Sequence, residues 1–243
     1  MSLLVANGVT KQFDGLHALA GVDFTVGSEE VVGLVGPNGA GKTTLFNVLT
    51  RFLEHDGGTI SFDGKETSKM RPEQLVGRGI ARTFQHIRIF HNLTVAENVI
   101  VGTSFAGRRR ADVVDEAISL VEFVGLGHMA NALGERLSYG QQKLVSIARA
   151  LATRPRLLML DEPLSGLSHA VVAEMMDMIR KIRQQKKAVL IIDHNMEAIT
   201  ALADRVVVMG AGKVVFDGTP AAMLQSELVI SAYMGRPIEK DEN

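Results

Sequence analysis

Apolar and polar positions alternate through residues 3–26 and are interrupted at Asp14-Gly15, which predicts short strands, each burying one face, with tight turns between them. Residues 31–35 form a compact apolar run that predicts a strand, and they lead into glycine-rich sequence. Leu45, Phe46, Val48, Leu49, Phe52 and Leu53 then recur at helical spacing, predicting a helix over 43–53. Residues 55–64, with Gly57-Gly58 and Asp63-Gly64, read as a turn, a short strand and a second turn. From about 71 to 153 the pattern is helical and more polar, with glycine breaks at 77, 102, 107, 125, 127 and 134, which predicts an inserted helical lobe. The apolar runs 157–161 and 188–193 are separated by a helical stretch over 170–185, the spacing of parallel strands joined by a crossover helix. Residues 206–209 and 213–216 flank Gly210-Ala211-Gly212 as a hairpin, and 220–234 predicts a closing helix. The expected class is α/β.

Composition narrows the picture without changing it. A chain of 243 residues suffices for one large domain, or one domain with an inserted lobe, and two independent domains are not expected. Hydrophobic residues at 46%, charged residues at 22%, and 24 glycines against 6 prolines describe a folded chain rich in tight turns. A formal charge of −1 leaves no electrostatic footprint for gripping a polyanion, and the basic run Arg108-Arg109-Arg110 reads as a solvated loop, so no nucleic-acid partner is expected. The absence of cysteine excludes disulfides and thiolate zinc sites and fits a reducing compartment. Residues 1–11 lack the basic and apolar regions of a signal peptide, so export is not expected. The longest apolar runs fall far short of the roughly 20 residues that span a bilayer, so any membrane role is expected to run through a partner.

Candidate chemistry begins at Gly36-Pro37-Asn38-Gly39-Ala40-Gly41-Lys42-Thr43-Thr44, which matches G-x-x-x-x-G-K-[ST] between an expected strand and an expected helix. Glycines let backbone N–H groups turn inward on phosphates, and the helix N-terminus adds partial positive charge. Lys42 can reach the β and γ phosphates, and Thr43 offers a hydroxyl to Mg²⁺. The second piece is Leu157-Leu158-Met159-Leu160-Asp161-Glu162, a buried strand ending in adjacent carboxylates that point to different faces. Asp161 is expected to hold Mg²⁺ through water, and Glu162 to act as general base on the attacking water. An isolated acidic pair after a buried strand is also an ordinary strand-end turn or helix cap; the phosphate loop upstream favours the catalytic reading.

With Leu137-Ser138-Tyr139-Gly140-Gln141 placed before a helix and upstream of the carboxylate strand, the chain resembles the ATP-binding-cassette, or ABC, ATPases over about residues 3–218. Ser-Tyr-Gly-Gln in isolation is also an ordinary helix N-cap. The resemblance implies a P-loop NTPase fold over 1–243, with a mainly parallel sheet core, an N-terminal antiparallel β subdomain and an inserted helical subdomain over 86–153. It implies ATP hydrolysis with Mg²⁺ in a site shared between subunits, where Ser138, Gly140 and Gln141 face the partner's γ-phosphate. It further implies that Gln85 contacts Mg²⁺ or the lytic water, that His194 contacts the γ-phosphate, and that Phe13 stacks on adenine. Each of these three is also compatible with a plain structural or surface role. Tyr139 departs from the family's commoner glycine, Phe13 from tyrosine, and Ser168 from the aspartate usual after the catalytic glutamate, which places communication between the two sites in question.

Within the family, the stretches 79–90 and 93–99, together with Leu137-Ser138-Tyr139-Gly140-Gln141-Gln142 and the tail Ala232-Tyr233-Met234-Gly235-Arg236-Pro237, look like the ATPase subunits of branched-chain amino-acid uptake systems. That likeness implies a peripheral protein on the cytoplasmic face of the inner membrane. Its implied partners are a second ATPase subunit, identical or related, integral membrane transporter subunits, and indirectly an extracytoplasmic solute-binding protein. Residues 85–96 are expected to meet the membrane subunits, although Ile87, Ile89, Phe90 and Leu93 equally suit packing of the helical lobe. A soluble ABC ATPase acting on DNA or ribosomes, and a metabolic kinase using the same phosphate loop, stand as alternatives.

Overall fold

The computed structural model describes residues 2–103 and 110–234, so Gly107, Arg108, Arg109 and the tail residues Gly235, Arg236 and Pro237 lie outside the described residues. In chain order the elements are β1 (Ser2–Phe13), β2 (Leu16–Gly27), β3 (Val31–Val35), α1 (Lys42–Leu49), β4 (Gly57–Phe62) and β5 (Lys65–Glu66). There follow α2 (Pro72–Arg78), β6 (Ile80–Arg82), α3 (Val95–Thr103), α4 (Arg110–Phe123) and α5 (Tyr139–Ala152). The chain continues through β7 (Leu157–Asp161), α6 (His169–Gln184), β8 (Ala188–Ile192) and α7 (Met196–Leu202), and ends with β9 (Arg205–Gly210), β10 (Lys213–Gly218), α8 (Pro220–Leu224) and α9 (Glu227–Met234). Contacts divide the chain into two compact units, residues 1–72 with 190–243, and residues 73–189.

In the first unit a four-stranded antiparallel sheet runs in the order β2-β1-β4-β5, and the pairing Leu4↔Val26 and Ala6↔Phe24 puts buried residues opposite one another. Beside this sheet in sequence, β3 pairs in parallel with β9, from Val32↔Arg205 to Val35↔Val208, and every residue of β3 is buried. This is why the stretch shows no alternation: both faces are covered. The expected β9–β10 hairpin closes on Ala211 at φ 46° and Gly212 at φ 76°, the left-handed pair that a tight hairpin demands. The Gly212 N–H donates to the Ala40 carbonyl at 3.1 Å, so this turn pins the phosphate loop. At the start of β9, Arg205 donates to Glu30 at 2.7 Å, to both oxygens of Asp217 at 2.8 and 2.9 Å, and to the Thr25 carbonyl at 2.6 Å. Burial opposes ionisation of Glu30, yet the hydrogen bonds from Arg205 and the Gly27 N–H hold its carboxyl below the ordinary value.

Two expectations in this unit are corrected. Helix α1 stops at Leu49 rather than running to residue 53, because the Thr50 hydroxyl folds back on the Phe46 carbonyl at 2.9 Å and Arg51 turns left-handed at φ 59°. Phe52, counted on the helical face, is exposed instead. The closing helix is two helices, α8 and α9. Thr219 caps the first, with Pro220 in its opening turn, and Gln225 is its C-cap.

In the second unit β6 pairs in parallel with β7, from Ile80↔Leu157 to Arg82↔Met159, and Thr83 N–H extends the ladder by donating to the Met159 carbonyl at 2.9 Å. This three-residue strand lies within the stretch expected to be helical, being too short to show a period of its own. Helices α3, α4 and α5 pack on one another. Buried Asn98 on α3 organises the loop before it, accepting from Phe90 N–H at 2.8 Å and donating to the Phe90, Leu93 and Thr94 carbonyls at 2.9, 3.3 and 3.0 Å. Among the described residues, no helix is long and apolar enough to cross a membrane.

Candidate active site

The phosphate loop lies in the first unit, between buried β3 and α1. Gly36 sits at φ 145°, Gly39 at φ 80° and Gly41 at φ 100°, conformations that turn successive N–H groups to one side. At Gly36 a side chain is impossible for a second reason: a Cβ would lie 2.2 Å from the Met209 carbonyl oxygen on β9. Lys42 is buried, and its ammonium donates to the Gly36 and Pro37 carbonyls at 2.6 and 2.9 Å, so the loop encircles its own cation. Asn38, Gly39 and Thr43 are exposed, Pro37 and Thr44 half-buried, and Ala40 buried under the Gly212 turn.

Two more residues of this unit bear on the chemistry. Phe13 ends β1 at the Asp14-Gly15 turn and is 44% exposed, so it is not a core residue; Lys11 Nζ lies 5.5 Å from its ring centroid. His194 follows β8 and is exposed, next to Asn195, whose side chain caps α7 by accepting from the Ala198 N–H at 3.0 Å. The Tyr233 hydroxyl on α9 donates to Met196 Sδ on α7 at 3.6 Å, and desolvation pushes its phenol up. No sequence pattern announces that contact.

In the second unit β7 delivers the carboxylate pair. Asp161 is buried at 6% exposure and its N–H donates to the Thr83 hydroxyl at 3.2 Å. Glu162 is half-buried and adopts φ 48°, a left-handed conformation that costs a non-glycine residue about 1 kcal/mol or more. The Gln85 amide donates to the Glu162 carboxylate at 3.0 Å, so these two predicted residues meet. Arg82 Nη2 lies 3.5 Å from Asp161 Oδ2, and its guanidinium stacks 4.6 Å from the Phe84 ring centroid. Burial dominates both partners: it raises Asp161 against the pull of Arg82, and it lowers Arg82 to about 10. At 3.5 Å the ion pair offsets only part of that desolvation.

Ser138 is the N-cap of α5, in a reciprocal capping box: the Gln141 N–H donates to the Ser138 hydroxyl at 3.4 Å and the Ser138 N–H to Gln141 Oε1 at 2.9 Å. Ser138 and Tyr139 are exposed and Gly140 half-buried, so the N-terminus of this helix faces outward. Capping and phosphate recognition use the same end of the helix and do not compete, because the helix leaves several N–H groups unbonded. Ser168 takes the N-cap position of α6. Two functional candidates escaped the sequence reading, Arg82 and Lys143. The only trace of Lys143 is a lysine in the apolar stripe of α5 with Ile147 and Ala150.

Each unit carries side chains with oxygen atoms of the kind Mg²⁺ takes: the Thr43 hydroxyl in the first, and the Gln85 amide and Asp161 carboxylate in the second. All are oxygen donors, the chemistry that this hard cation takes, and Asp161 is a buried carboxylate. Among the described residues no group of three acidic, imidazole or thiolate side chains could hold a metal by itself.

A family model for ABC transporters matches residues 19–165. The branched-chain amino acid transport ATP-binding protein BraF of Pseudomonas aeruginosa is 38% identical, with 96% of this chain and 98% of that protein covered. LivG of Escherichia coli, of the same description, is 36% identical over 96% of this chain and 98% of its own length. The lipopolysaccharide export system ATP-binding protein LptB of Haemophilus influenzae is 36% identical, with 97% and 98% covered. Among solved structures, an ATP-binding cassette of an ABC transporter in its ADP conformation superposes with a TM-score of 0.88 at 30% identity, over 97% of this chain and all of that one.

Proposed function

The chain belongs to the ABC transporter ATP-binding family, and from that premise we propose that it energises the uptake of branched-chain amino acids or related small polar solutes. It is an ATPase that binds ATP and works with membrane permease subunits. In our reading it rests on the cytoplasmic face of the inner membrane and pairs with a second ATPase subunit, while an extracytoplasmic binding protein delivers the solute.

The observation that carries hydrolysis, beyond binding, is the Gln85–Glu162 hydrogen bond at 3.0 Å. It orients a carboxylate that a strand-end cap would leave unaimed. In the proposed reaction the loop N–H groups and Lys42 hold the β and γ phosphates while Phe13 stacks on adenine. Glu162 takes a proton from water as the water oxygen attacks the γ-phosphorus; the bond to the bridging oxygen breaks and ADP leaves with the electron pair. Thr43, Gln85 and Asp161 would hold Mg²⁺, which when bound neutralises charge on the phosphates. His194 contacts the γ-phosphate, and Ser138, Gly140 and Gln141 close on the partner's ATP. Phe90 supports the contact with a membrane subunit: it is exposed while neighbouring Ile89 is buried, so this segment both packs inward and presents an aromatic face.

Glu162→Gln keeps the side chain's shape and removes the base. It is expected to bind ATP with affinity within about threefold of the parent and to lose turnover by about a hundredfold or more. Near-normal turnover in a phosphate-release assay would rule out Glu162 as the base. The membrane subunits that co-purify separate uptake of amino acids from an export role of the kind named for LptB.

A further inference from the structure

Lys143 does work that the reaction described above leaves unassigned. It lies inside α5, is only 6% exposed, and its ammonium donates to the Glu162 carbonyl at 2.6 Å and the Ser165 carbonyl at 2.7 Å. A buried ammonium is unfavourable unless its donors are satisfied, and here two main-chain oxygens of the catalytic segment satisfy it. The same Glu162 carbonyl accepts the Ser165 N–H at 3.4 Å, so residues 162–165 form a turn closed around this cation. Glu162 is the residue held at φ 48°, and a strained conformation persists only where its surroundings over-determine it.

A second contact joins the same two segments. One helical turn before Lys143, the Tyr139 ring lies with its centroid 5.3 Å from the Lys143 ammonium. A Cβ on Gly166 would come within 3.2 Å of Tyr139 Cε1, so the ring covers that glycine closely. The residue that departs from the family's usual glycine is thus packed onto the segment after Glu162. Because Ser138, Tyr139 and Lys143 share the first turns of one capped helix, they move together.

We propose that Lys143 is a positioning residue that couples the two ATP sites: it fastens the helix whose N-terminus meets the partner's ATP to the backbone that aims the chain's own Glu162. This rests on the shared-site reading given above. Engagement of Ser138 by the partner's phosphate displaces or steadies α5, and Lys143 passes that change to the carbonyl of Glu162. The Tyr139 ring supports the clamp from the side of the signature. The coupling fits the place of Ser168, since contact between the helix and residues 162–166 does not need an aspartate there.

The test uses the full chain and measures turnover against ATP concentration, binding of a fluorescent ATP analogue, and thermal unfolding. For Lys143→Met, kcat is expected to fall about tenfold or more, with analogue affinity within about twofold and the Hill coefficient reduced toward one. Lys143→Arg, which keeps charge and donors, is expected to recover kcat to within about threefold. Should the methionine variant not fold, Lys143→Gln serves, since one amide can satisfy one of the two carbonyls; it is expected to give intermediate kcat and cooperativity. Wild-type kcat and Hill coefficient in the neutral variants overturn the proposal. So does an arginine variant as slow as the methionine one with a matching loss of melting temperature, since Lys143 would then serve packing alone. Ser138→Arg keeps the two failures apart: if it leaves kcat and cooperativity at the wild-type level, the shared-site reading itself is wrong, whereas an inactive Ser138→Arg beside normal Lys143 variants overturns only the role of Lys143.

Discussion

At the end of β7 a buried carboxylate and a half-buried guanidinium stand 3.5 Å apart, and burial works against the charge of each. Asp161 must be ionised to hold a cation, and its raised pKa means that protonation begins at a higher pH than for an ordinary aspartate. Arg82 resists that rise. Arg82→Met therefore favours the protonated form further, and the acidic limb of the kcat/KM profile is expected to move to higher pH, while Arg82→Lys leaves it near the parent's. A limb unmoved by the methionine variant would show that Arg82 does not tune Asp161. Lys42, Glu162 and Gln85 stand out as candidates in the sequence because their residue types follow a fixed order around a phosphate loop. Arg82 and Lys143 do not, because what distinguishes them is charge combined with burial, and burial depends on what the fold lays over a side chain.

Helix α5 combines a capping box with an outward-facing N-terminus, and the two roles can be separated. Ser138→Ala removes the cap and is expected to cost about 1 kcal/mol in urea unfolding. Ser138→Asp keeps a capping acceptor and suits the helix dipole, so stability is expected to stay within about 0.5 kcal/mol of the parent. Yet in the proposed shared site it sets a carboxylate against the partner's phosphate, and turnover is expected to fall by about a hundredfold. Parental turnover in the aspartate variant would mean that Ser138 only caps. Elements with a full period were readable from the chain: β3, β7 and α6 begin and end within a residue of expectation. Those that missed did so for local reasons. Helix α1 ends early because Thr50 and Arg51 terminate it while apolar residues keep recurring beyond, and β6 is a strand only because β7 lies alongside.

In the reading proposed above, a chain with one phosphate loop and one signature pairs with a second subunit, and ATP is expected to act as the ligand that drives pairing. With Mg-ATP, Glu162→Gln is expected to elute at about twice the monomer mass and to revert when nucleotide is removed. At an ATP concentration about a hundred times Kd, linkage raises its stability by about 2.7 kcal/mol, visible as a higher Tm. A variant that binds ATP tightly and stays monomeric at every concentration would contradict self-pairing. The amino-acid order by itself determined the α/β class, the phosphate loop, the carboxylate pair and the family, because glycine conformations, apolar periods and motif spacing are local properties written along the chain. Only the tertiary structure decided that the Gly212 turn pins Ala40 and that Lys143 holds the carbonyl of Glu162. These pairs stand 19 and 172 residues apart in sequence, and a hydrogen bond across such a separation forms only when packing brings donor and acceptor within about 3 Å.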